Sequence, residues 1–304
     1  MAQDRCRNIL ITGASGMIGS ALSAHLSSRG FTVYPLRRDS TTAPFFYQEA
    51  EGRVHLDPKL PLYGVINLAG PGIADKRWSA SRKRVIRRSR QQLTQALAAA
   101  LAASESKPQI LVSASAIGYY GLTGDNCVDE DDPAANDFLA GVAKDWESAT
   151  LPAVEAGINT VHLRFGIVLS PDGGVLGKLL LPFKLGLGGP IGRGDQLMSW
   201  ISMPDVLQII HKLLNDKPHC GPLNLVADHP ITNADFSADL AQALRRPHFL
   251  PLPEFMVKLL FGEMGEALLL GSVGVCSKKL APLGIELQYP TLSSALEILL
   301  KPDK

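Results

Sequence analysis

Three glycines close to the amino terminus place the strongest constraint on how this chain folds. Gly13, Gly16 and Gly19 lie between a short apolar run, residues 9–12, and a helical pattern that begins at Met17. In a strand-turn-helix unit the first glycine permits a tight turn, the second lets a diphosphate approach the backbone, and the third allows close packing of helix on strand. The sequence therefore predicts a dinucleotide-binding turn. Its predicted contacts with the nucleotide are Gly13, Ser15, Gly16, Met17, Ile18 and Gly19.

Short apolar runs rich in Val, Ile and Leu alternate with longer helical patterns along the chain. This alternation is typical of a parallel sheet whose strands are joined by crossover helices. The predicted strands are residues 9–12, 32–36, 53–56, 64–68, 110–113, 160–164 and 223–226, and the predicted helices are residues 17–29, 79–102, 138–156 and 234–245. The predicted fold class is therefore α/β: a Rossmann-like, doubly wound parallel sheet with a smaller, mostly helical carboxy-terminal substrate region.

The composition of the sequence changes after Pro171, where glycine becomes frequent. Glycines punctuate the segment up to Trp200, which predicts loops, and prolines at 247–253 mark a boundary before further helical patterns. We expect a nucleotide-binding Rossmann domain over residues 1–172, with its sheet completed by about residues 203–232. Residues 173–202 and 233–304 then form the substrate and carboxy-terminal region.

Two arginines follow the second predicted strand, at the position that selects the cofactor. In proteins that bind NAD, an acid about 20 residues past the glycines binds the ribose 2′-hydroxyl. This chain has Arg37 and Arg38 there, with Asp39 beside them. A guanidinium pair suits a 2′-phosphate through forked, charge-assisted hydrogen bonds, which favours NADP(H). The alternative is a solvated arginine pair at a strand end. Pro35, in the same strand, is typical of an edge or a bulge.

The overall charge limits the partners to be considered. The 304 residues include 30 basic and 29 acidic side chains, so nothing global attracts the protein to nucleic acid or to a membrane surface. Residues 76–90 contain eight basic residues and no acid. Nucleic acid is one interpretation of that run, and a solvated helix flank is the favoured one. We expect a small-molecule substrate, no nucleic-acid or membrane partner, and a monomer or homodimer.

The four cysteines, Cys6, Cys127, Cys220 and Cys276, are scattered without a CxxC pair, which predicts free thiols in a reducing compartment. The histidines form no cluster at metal-ligand spacing, so we expect no metal site. The first apolar run is too short for a signal peptide, and no apolar stretch approaches the ~20 residues of a membrane span. We therefore expect a cytoplasmic protein.

The glycine spacing GxxGxxG, together with Asn67-Leu68-Ala69-Gly70, resembles the short-chain dehydrogenase/reductase superfamily. Over nearly its whole length the chain also resembles an atypical extended branch, the YfcH-like proteins, which are described as an epimerase family within the NAD-dependent epimerase/dehydratase superfamily. The motifs that carry this resemblance are Arg77-Trp78, Ser89-Arg90, Ser113-Ala114-Ser115-Ala116-Ile117-Gly118-Tyr119-Tyr120-Gly121, Trp146-Glu147, Leu163-Arg164-Phe165-Gly166-Ile167-Val168-Leu169, Leu181-Pro182-Phe183, Leu187-Gly188-Gly189-Pro190-Ile191-Gly192 and Trp200-Ile201.

The resemblance implies roles for individual residues. Ser115 stands where extended members keep a catalytic serine that binds the substrate oxygen. Arg164 and Val168 would lie near the nicotinamide, and Arg90 would approach the cofactor from the other wall. The resemblance also implies that the backbone of Asn67, Leu68, Ala69 and Gly70 lies beside the adenine ribose and helps hold the sheet, and that Ser113 is a further cofactor contact.

The chain departs from the superfamily at its Tyr-x-x-x-Lys pair. Ala140 stands near the expected tyrosine position, and Lys144 follows four residues later. Tyr119 or Tyr120 could supply the missing proton donor, or could stack on the cofactor or its own loop. The resemblance implies an NADP(H)-dependent oxidoreductase or epimerase of unidentified substrate. The alternative is a non-catalytic NADP(H)-binding or sensing protein that has lost the superfamily tyrosine.

Overall fold

The computed structural model describes residues 7–40, 42–216 and 219–301. Its strands are β1 (Asn8–Thr12), β2 (Thr32–Pro35), β3 (Arg37–Arg38), β4 (Phe45–Gln48), β5 (Arg53–Leu56), β6 (Gly64–Asn67), β7 (Ile110–Ala116), β8 (Cys127–Val128), β9 (Asn159–Phe165), β10 (Ile167–Leu169), β11 (Leu197–Met198), β12 (Trp200–Ser202), β13 (Gly221–Leu225), β14 (Ile231–Thr232) and β15 (Gly274–Val275). Its α-helices are α1 (Met17–Ser27), α2 (Ala80–Ala103), α3 (Phe138–Ser148), α4 (Leu151–Glu155), α5 (Gly174–Lys184), α6 (Met203–Asn215), α7 (Asn233–Leu244), α8 (Glu254–Phe261), α9 (Glu263–Gly265) and α10 (Leu292–Leu299). Short 3₁₀ turns cover Ile117–Tyr120 and Ala281–Leu283, and a π turn covers Glu266–Leu270.

The central sheet has the strand order β13-β9-β7-β6-β1-β2, and every neighbouring pair in it is parallel. From β1 the chain moves to one edge to form β2, then returns to the other side of β1 to form β6, β7, β9 and β13 in turn. The direction of winding therefore reverses between β1 and β6. A crevice opens at the carboxyl ends of the strands where such a reversal occurs. The predicted doubly wound α/β fold is confirmed.

Helices bury both faces of this sheet. Ile9 and Ile11 of β1 pack on one face in a core that includes Leu22 of α1. Leu10, between them, packs on the opposite face in a core that includes Leu97 of α2. Because successive side chains of a strand alternate between the two faces, a strand covered on both sides needs an unbroken apolar run. That run is what made the strand visible in the sequence.

Residues 53–56 form the predicted strand, β5, but outside the central sheet. β5 pairs antiparallel with β4, and β4 pairs with β3. The side chains of β5 alternate between exposed and half-buried, which is the pattern of a sheet with one solvated face. The prediction that these residues join the parallel sheet is therefore wrong, because they lack the two-sided burial that a central parallel strand requires.

The predicted helix over residues 138–156 is divided into two. α3 ends at Ser148, α4 begins at Leu151, and Pro152 stands in the first turn of α4. Proline has no amide hydrogen to donate within a helix, and its ring disfavours the helical conformation of the residue before it. A proline fits best in the first turn of a helix, and here the chain ends one helix before Pro152 and starts another with Pro152 in its first turn.

Pro35 lies at the end of β2, which is an edge strand of the central sheet. The amides of Thr32 and Leu36 donate to the carbonyls of Arg7 and Ile11 on the β1 side. Because alternate residues of a strand donate toward the same neighbour, the nitrogen of Pro35 faces the open edge of the sheet. No ladder donor is needed there, which explains how the strand accommodates a proline.

A disulfide joins Cys127 to Cys276, 149 residues later, with their Cα atoms 5.9 Å apart. The prediction of free thiols is wrong for these two residues, and the inference of a reducing compartment loses its support. The two cysteines meet because β8 pairs in parallel with β15, a long-range contact that no local spacing reveals. Cys220 is a free, exposed thiol, and Cys6 lies outside the described residues.

The carboxy-terminal region has a core of its own. Phe236 and Leu240 of α7 pack with Leu296 of α10, Phe183 of α5 and the fully buried Trp200.

Within the described residues, no helix has both the length and the apolarity to cross a membrane. The same residues include no group of three or more His, Cys, Asp or Glu side chains arranged to hold a metal ion.

Candidate functional site

The turn between β1 and α1 has the glycine geometry that the sequence predicts. Gly13 has φ of +69°, and a Cβ there would lie 2.9 Å from the carbonyl oxygen of Leu68. A Cβ on Gly19 would overlap the carbonyl oxygen of Gly13, so α1 packs against the turn as closely as backbone permits. At Gly16 the nearest neighbour of an added Cβ is the Gly13 oxygen, at 3.3 Å. A side chain at Gly13 or Gly19 would therefore collide with backbone, whereas Gly16 is exposed and has only the Gly13 oxygen close to its Cβ position.

The amino terminus of α1 is free to bind an anion. Gly16 is its N-cap and provides no side-chain hydrogen bond, and the first turn contains no acidic residue. The first amides of a helix have no partner within the helix, and they carry the positive end of the helix dipole. Ser15 and Gly16 are exposed beside them. This arrangement fits a diphosphate, which would satisfy the free amides.

A cleft of about 1100 Å³ extends from this turn to the β2–β3 segment and across to α2. The predicted cofactor residues that line it are Gly13, Ser15, Arg37, Arg38, Ala69 and Gly70. Both arginine side chains are exposed. The Nε atom of Arg38 lies 3.6 Å from a carboxylate oxygen of Glu49; Arg37 has no ion pair with any described residue. The cleft therefore offers at least one uncompensated guanidinium to a negatively charged group.

Other predicted cofactor residues lie behind the cleft wall. The side chains of Ile18 and Leu68 pack against the core of the sheet. Val168 is buried in β10 and belongs to the same core. The sulfur of Met17 lies 3.3 Å from where a Cβ of Gly173 would stand, so Met17 packs against the loop that starts α5. The structure does not bring these four side chains together with the cleft-lining set.

Asn67 and Ser113, also predicted as cofactor residues, are fully buried in a polar network. Asn67 accepts a hydrogen bond from the Thr12 hydroxyl at 2.7 Å and donates to the hydroxyls of Thr94 and Ser113 at 2.8 and 3.1 Å. The indole of Trp146 donates to Thr94 at 3.1 Å. Each side chain in the network has at least one hydrogen-bond partner, and together they fix β1, β6 and β7 to α2 and α3. In this structure these two side chains hold the sheet together and do not face the cleft.

Arg90 supports the cleft wall from inside. Its guanidinium donates to the carbonyls of Ile86 at 3.2 Å and Pro71 at 3.0 Å, and it lies 4.9 Å from the centre of the Trp146 ring. Burial, followed by the nearby positive charge of Arg82, lowers the pKa of Arg90 to about 10. A Cβ on Gly70 would lie 2.9 Å from the Arg90 guanidinium carbon. Arg90 therefore holds Gly70 and Pro71 in place beneath the cleft.

A second cluster lies at the carboxyl ends of β7 and β9, and Glu147 of α3 is its centre. The Ser115 hydroxyl donates to Glu147 Oε1 at 2.7 Å. Arg164 makes a bidentate pair with Glu147, from Nε to Oε1 at 2.8 Å and from Nη2 to Oε2 at 2.9 Å. Arg164 Nη1 also donates to the Tyr120 hydroxyl at 2.8 Å, which in turn donates to Asn224 Oδ1 at 2.8 Å. One hydrogen-bonded chain thus runs from Ser115 to Asn224.

Burial sets the electrostatics of this cluster. Ser115, Tyr120 and Arg164 are each less than a tenth exposed. Burial would lower the pKa of Arg164, but its hydrogen bonds and charge pairing with Glu147 raise it above its usual value. Burial raises the pKa of Tyr120 to about 12, against the opposing effect of Arg164. Arg164 is therefore a permanent cation and Tyr120 a neutral phenol across the physiological pH range.

Tyr119 and Tyr120, the two predicted proton donors, occupy different environments. The Arg164 guanidinium carbon lies 3.5 Å from the centre of the Tyr119 ring. Tyr119 is half-buried, and its hydroxyl makes no hydrogen bond with any described residue. Tyr120, by contrast, has a partner on each side of its hydroxyl. Of the two, only Tyr119 has a hydroxyl that is free for another molecule.

The place of the superfamily tyrosine is enclosed by protein. Ala140 is fully buried in α3, and the turn that contains Tyr119 packs over this part of the helix. A Cβ on Gly118 in that turn would lie 3.1 Å from the Cβ of Leu139. Lys144 donates to the carbonyl of Ala135 at 3.2 Å. Ala140 and Lys144, which occupy the Tyr-x-x-x-Lys position, are therefore both engaged within the protein. The turn over residues 117–120, which packs against the same part of α3, contains the half-buried ring of Tyr119.

Glu147 and Asn224 were not predicted as functional residues. Glu147 belongs to the Trp146-Glu147 motif of the family resemblance, which was the only signal that could have found it. A single acid on an amphipathic helix is otherwise expected to face solvent. Asn224 lies in a predicted apolar strand, and its side-chain Nδ2 donates to the carbonyl of Cys276 at 2.8 Å. A polar residue inside a buried strand is the signal that would have identified it.

Half of the basic run over residues 76–90 is engaged within the protein. Lys83 pairs with Glu263 and Arg87 with Asp145. Arg82 donates to the carbonyl of Gly72 at 2.6 Å, and Arg90 is buried as described above. The ammonium of Lys83 also lies 5.9 Å from the centre of the Trp78 ring. These contacts join the start of α2 to α3 and to α9, and they leave the other half of the run, Lys76, Arg77, Arg84 and Arg88, without an ion pair to any described residue.

Comparison with protein families gives two matches along the chain. Residues 9–225 match the NAD dependent epimerase/dehydratase family, and residues 252–299 match a domain of unknown function, DUF1731. An epimerase family protein of Mycobacterium bovis is 38% identical over 291 residues, which cover 95% of this chain and 96% of the relative. The human epimerase family protein SDR39U1 is 34% identical over 297 residues, covering 95% and 98% respectively.

Solved structures agree with these matches. A crystal structure of human epimerase family protein SDR39U1 (isoform 2) with NADPH has a TM-score of 0.87 and 32% identity, covering 96% of this chain and 98% of that one. A nucleoside-diphosphate sugar epimerase from Corynebacterium glutamicum has a TM-score of 0.76 and 30% identity, covering 95% of this chain and 57% of that one. UDP-glucose 4-epimerase from Thermus thermophilus, solved with NAD, shares the fold at a TM-score of 0.71 and 17% identity, covering 96% and 97%.

Proposed function

This chain belongs to the NAD dependent epimerase/dehydratase family, and on that premise we propose that it is an NADP(H)-dependent oxidoreductase or epimerase acting on a small molecule. The observation that carries the proposal is the pair of adjoining features at the carboxyl ends of the parallel strands. One is an anion-binding turn with an open guanidinium nearby. The other is the hydrogen-bonded chain that begins at Ser115. Hydride chemistry on an alcohol or a carbonyl needs both a cofactor and an oriented oxygen.

The residues of the cleft suit NADPH. The free amides at the start of α1 would hold the diphosphate, and Arg37 with Arg38 would hold the adenosine 2′-phosphate. The human relative of similar fold was crystallised with NADPH, which supports the same choice here. When bound, the nicotinamide supplies or accepts a hydride. Gly70 and Pro71, held by Arg90, would form the wall beside the adenosine.

Ser115 would orient the substrate oxygen. Its own hydroxyl hydrogen is committed to Glu147, so the lone pairs of its oxygen remain to accept a hydrogen bond from a substrate hydroxyl. Glu147 is fixed in turn by two hydrogen bonds from Arg164. Ser115 is thereby held in one rotamer before any substrate arrives. A preorganised acceptor of this kind orients an alcohol for loss of its carbon-bound hydrogen.

Tyr119 would move the proton. Its hydroxyl is not engaged with any described residue, and its ring is held against the Arg164 guanidinium at 3.5 Å. Tyr120 would position Arg164 instead, because both sides of its hydroxyl are occupied and its pKa is raised to about 12 by burial. Tyr119 would thus take the place of the tyrosine that the superfamily carries near Ala140.

A non-catalytic NADP(H)-binding or sensing protein is the second candidate function. The enclosed Ala140 and the engagement of Lys144 with the Ala135 carbonyl favour it, because together they remove the usual proton relay. Such a protein would bind NADPH through the same turn and arginines and would turn nothing over. The two candidates share a cofactor and differ in whether Tyr119 performs chemistry.

Cofactor binding is tested by calorimetry with NADPH and NADH. Replacing Arg37 or Arg38 by alanine should weaken NADPH binding about 10- to 100-fold, since a hydrogen bond to a charged group is worth about 1.5–3 kcal/mol, and should leave NADH binding unchanged. Arg84→Ala, at an exposed arginine of α2, is the control and should change neither affinity. Equal affinity of the native protein for both nucleotides would contradict the selection of NADPH.

Catalysis is tested by NADPH consumption or NADP⁺ reduction across a panel of sugar, alcohol and carbonyl substrates. Ser115→Ala and Tyr119→Phe should each lower kcat at least about 100-fold, the usual scale for loss of a positioned proton-transfer group, while NADPH binding persists. Tyr63→Phe is the matched control, because Tyr63 donates to the carbonyl of Leu214 away from the cleft. Tight NADPH binding without turnover of any substrate would favour the sensing protein.

A further inference from the structure

The disulfide between Cys127 and Cys276 links the first part of the chain to the carboxy-terminal region. Cys127 is exposed and Cys276 is half-buried. The two residues lie side by side because β8 and β15 pair in parallel and because the amide of Cys276 donates to the carbonyl of Val128 at 2.8 Å. Cys127 is therefore the more accessible residue of the two.

Both cysteines of this disulfide are connected to Tyr120, Cys127 along the chain and Cys276 through hydrogen bonds. Cys127 follows Tyr120 by seven positions, through a largely exposed loop. On the other side, the carbonyl of Cys276 accepts from the side-chain Nδ2 of Asn224 at 2.8 Å, and Asn224 Oδ1 accepts from the Tyr120 hydroxyl at 2.8 Å. Val275, just before Cys276, is fully buried and packs in one cluster with Tyr120 and Val226. The position of β15 is thus coupled to the side chain that holds Arg164.

Apart from the disulfide, non-covalent contacts hold the segment over residues 272–278. The amide of Thr123 donates to the carbonyl of Ser272 at 3.0 Å, and the Ser272 hydroxyl donates to the Gly124 carbonyl at 2.7 Å. At the other end Glu130 accepts from the Ser277 hydroxyl at 2.6 Å and from the Lys278 amide at 3.0 Å. On the buried side, the Ser199 hydroxyl donates to the carbonyl of Val273 at 2.9 Å and accepts from the amide of Val275 at 2.7 Å. The disulfide is the covalent link between this segment and β8, and hydrogen bonds with the buried Val275 side chain supply the rest of its docking.

We propose that Cys127–Cys276 is a reversible redox site, reduced by a dithiol and reoxidised by a disulfide, that controls whether the segment over residues 272–278 stays docked against Tyr120. A reductant thiolate attacks the Cys127 sulfur, breaks the Cys127–Cys276 bond and releases Cys276 as a thiolate, which takes up a proton. The second thiol of the reductant then cleaves the mixed disulfide. Two electrons and two protons pass to the protein, and the reductant becomes a disulfide.

The attack is assigned to Cys127 because access decides which sulfur of a disulfide reacts first. Cys276 is half-buried, and its carbonyl and amide are held by Asn224 and Val128. In the oxidised protein, Asn224 and Val275 keep Tyr120 in place. In the reduced protein, the segment over residues 272–278 is held by non-covalent contacts alone, so it opens from the Tyr120 side more often, and Asn224 is fixed less firmly as the acceptor of the Tyr120 hydroxyl. The inference goes beyond the proposed function, because it concerns a covalent link outside the cofactor cleft.

The experiment uses the full chain and needs no turnover. The protein is equilibrated with oxidised glutathione, and one half is then treated with dithiothreitol without denaturant. Both halves are alkylated with N-ethylmaleimide and mapped by peptide mass spectrometry. Cys220 is exposed and free, so in the oxidised sample it should carry either N-ethylmaleimide or glutathione, and after dithiothreitol it should carry N-ethylmaleimide. Cys127 and Cys276 should be labelled only after dithiothreitol, and renewed oxidised glutathione should restore their protection.

Hydrogen exchange reports the structural consequence. Amides over residues 272–278 should exchange at least tenfold faster in the reduced protein, while those of β1 and β6 should not change. Cys127→Ser should reproduce the fast exchange without reductant, and Cys220→Ser, the matched control, should behave as the native protein does. If Cys127→Ser does not fold, the native protein in its two redox states decides the question alone.

Three results would overturn the proposal. One is the failure of oxidised glutathione to form the Cys127–Cys276 bond in the folded protein. Another is a bond that resists dithiothreitol until the protein is unfolded. The third is equal exchange over residues 272–278 in the oxidised and reduced states, which would show that the disulfide has no influence on docking.

Discussion

The carboxylate of Glu147 accepts hydrogen bonds from two neighbouring strands at once. Ser115 donates from β7, and Arg164 donates twice from β9. The side chain of Glu147 is only 13% exposed and that of Arg164 only 4%, so water screens their attraction weakly. A buried ion pair of this kind fixes the positions of its side chains but often adds little net stability. Loss of one partner is nevertheless costly, because it leaves the other as an uncompensated buried charge.

Glu147→Gln should therefore lower the free energy of unfolding by about 3–5 kcal/mol, the range for breaking a buried pair from one side. The amide of glutamine cannot accept both hydrogen bonds from Arg164, and its NH₂ group meets a donor. Urea unfolding at neutral pH measures the change. The same substitution should release Ser115 from its fixed rotamer and reduce any turnover, with NADPH binding retained.

Asp145→Asn, on the same helix, is the matched control. Asp145 pairs with Arg87, whose side chain is 53% exposed, and an exposed pair is worth about 0–1 kcal/mol. Its loss should shift the unfolding midpoint only slightly. Equal destabilisation by Glu147→Gln and Asp145→Asn would show that burial does not distinguish the two pairs.

At the scale of elements, the docking of α1 on the glycine turn depends on one missing side chain. A Cβ on Gly19 would overlap backbone atoms of Gly13 and Ala14, and backbone cannot move aside as a flexible side chain can. The amino terminus of α1 is aimed into the crevice by this contact. The anion-binding turn is thus a property of how helix and strand pack as well as of the turn itself.

Gly19→Ala should destabilise the protein by about 1–3 kcal/mol, the typical cost of overpacking, and should weaken NADPH binding because α1 is displaced. Gly141→Ala is the control with the opposite sign. Gly141 lies in α3, and an added Cβ would meet nothing within 4 Å; alanine in a helix interior is favoured over glycine by about 1 kcal/mol. Thermal unfolding of both variants measures the contrast, and a stabilised Gly19→Ala protein would contradict this account.

The contact between α1 and α6 predicts a pH dependence. His25 of α1 and His211 of α6 meet edge to face, with ring centres 5.8 Å apart. Burial, followed by Arg29 and His211, lowers the pKa of His25 from 6.5 to about 4. The unfolded chain therefore binds more protons than the folded chain between these values, and stability falls as the pH drops from about 6.5 to about 4.

Thermal unfolding across this pH window measures that loss. His25→Gln keeps a hydrogen-bond acceptor for Arg29 but cannot be protonated, so its melting temperature should fall less steeply than that of the native protein. His248→Gln, at an exposed histidine remote from α1 and α6, is the control and should follow the native curve. Identical slopes for the native protein and His25→Gln would remove His25 as a source of the pH dependence.

At the scale of the whole molecule, a few long-range ties hold the carboxy-terminal region to the sheet. The disulfide joins β8 to the end of β15, Glu130 binds the chain that follows, and Lys278 pairs with Asp129 and Asp131. Lys83 and Glu263 make a further link from α2 to α9. The region that matches a domain of unknown function is therefore connected directly to the side of the cluster around Tyr120.

Reduction of the disulfide should lower the free energy of unfolding by about 2–5 kcal/mol, because the bond closes a long loop and restricts the unfolded chain. Guanidinium unfolding with and without dithiothreitol measures the difference. Cys127→Ser should match the reduced native protein and should show no further response to dithiothreitol. A native protein with the same unfolding midpoint in both conditions would contradict the prediction.

Much of the fold could be predicted because its signals are local. The run over β1 is apolar at every position since both of its faces are covered, and the glycines after it have one geometric use. β5 was assigned to the wrong sheet because the sequence of a short strand does not show which other strand it pairs with. The division between α3 and α4 was visible in principle, since Pro152 was in the sequence.

The candidate site was predicted less completely than the fold. Arg37, Arg38 and the glycine turn line the cleft as the sequence indicates, since each is contiguous with a recognisable element. Asn67 and Ser113 hold the sheet through buried hydrogen bonds, a role that the resemblance implies for the Asn67 element. Their polar side chains suit either role, and burial decides between them. The sequence could not predict that the Tyr119 hydroxyl is free and the Tyr120 hydroxyl is enclosed, because the two tyrosines are identical neighbours in the chain.

The sequence alone determined the first strand, the glycine turn and the first helix, and it determined the doubly wound sheet and the guanidinium pair. Each of these features depends on residues that are close together along the chain. Folding decided the rest. Glu147 meets Arg164 across 17 positions and Ser115 across 32, and Cys127 meets Cys276 across 149. Such contacts depend on which strands become neighbours, and a hydrogen bond or a disulfide has no energy until its two partners are brought within a few ångströms.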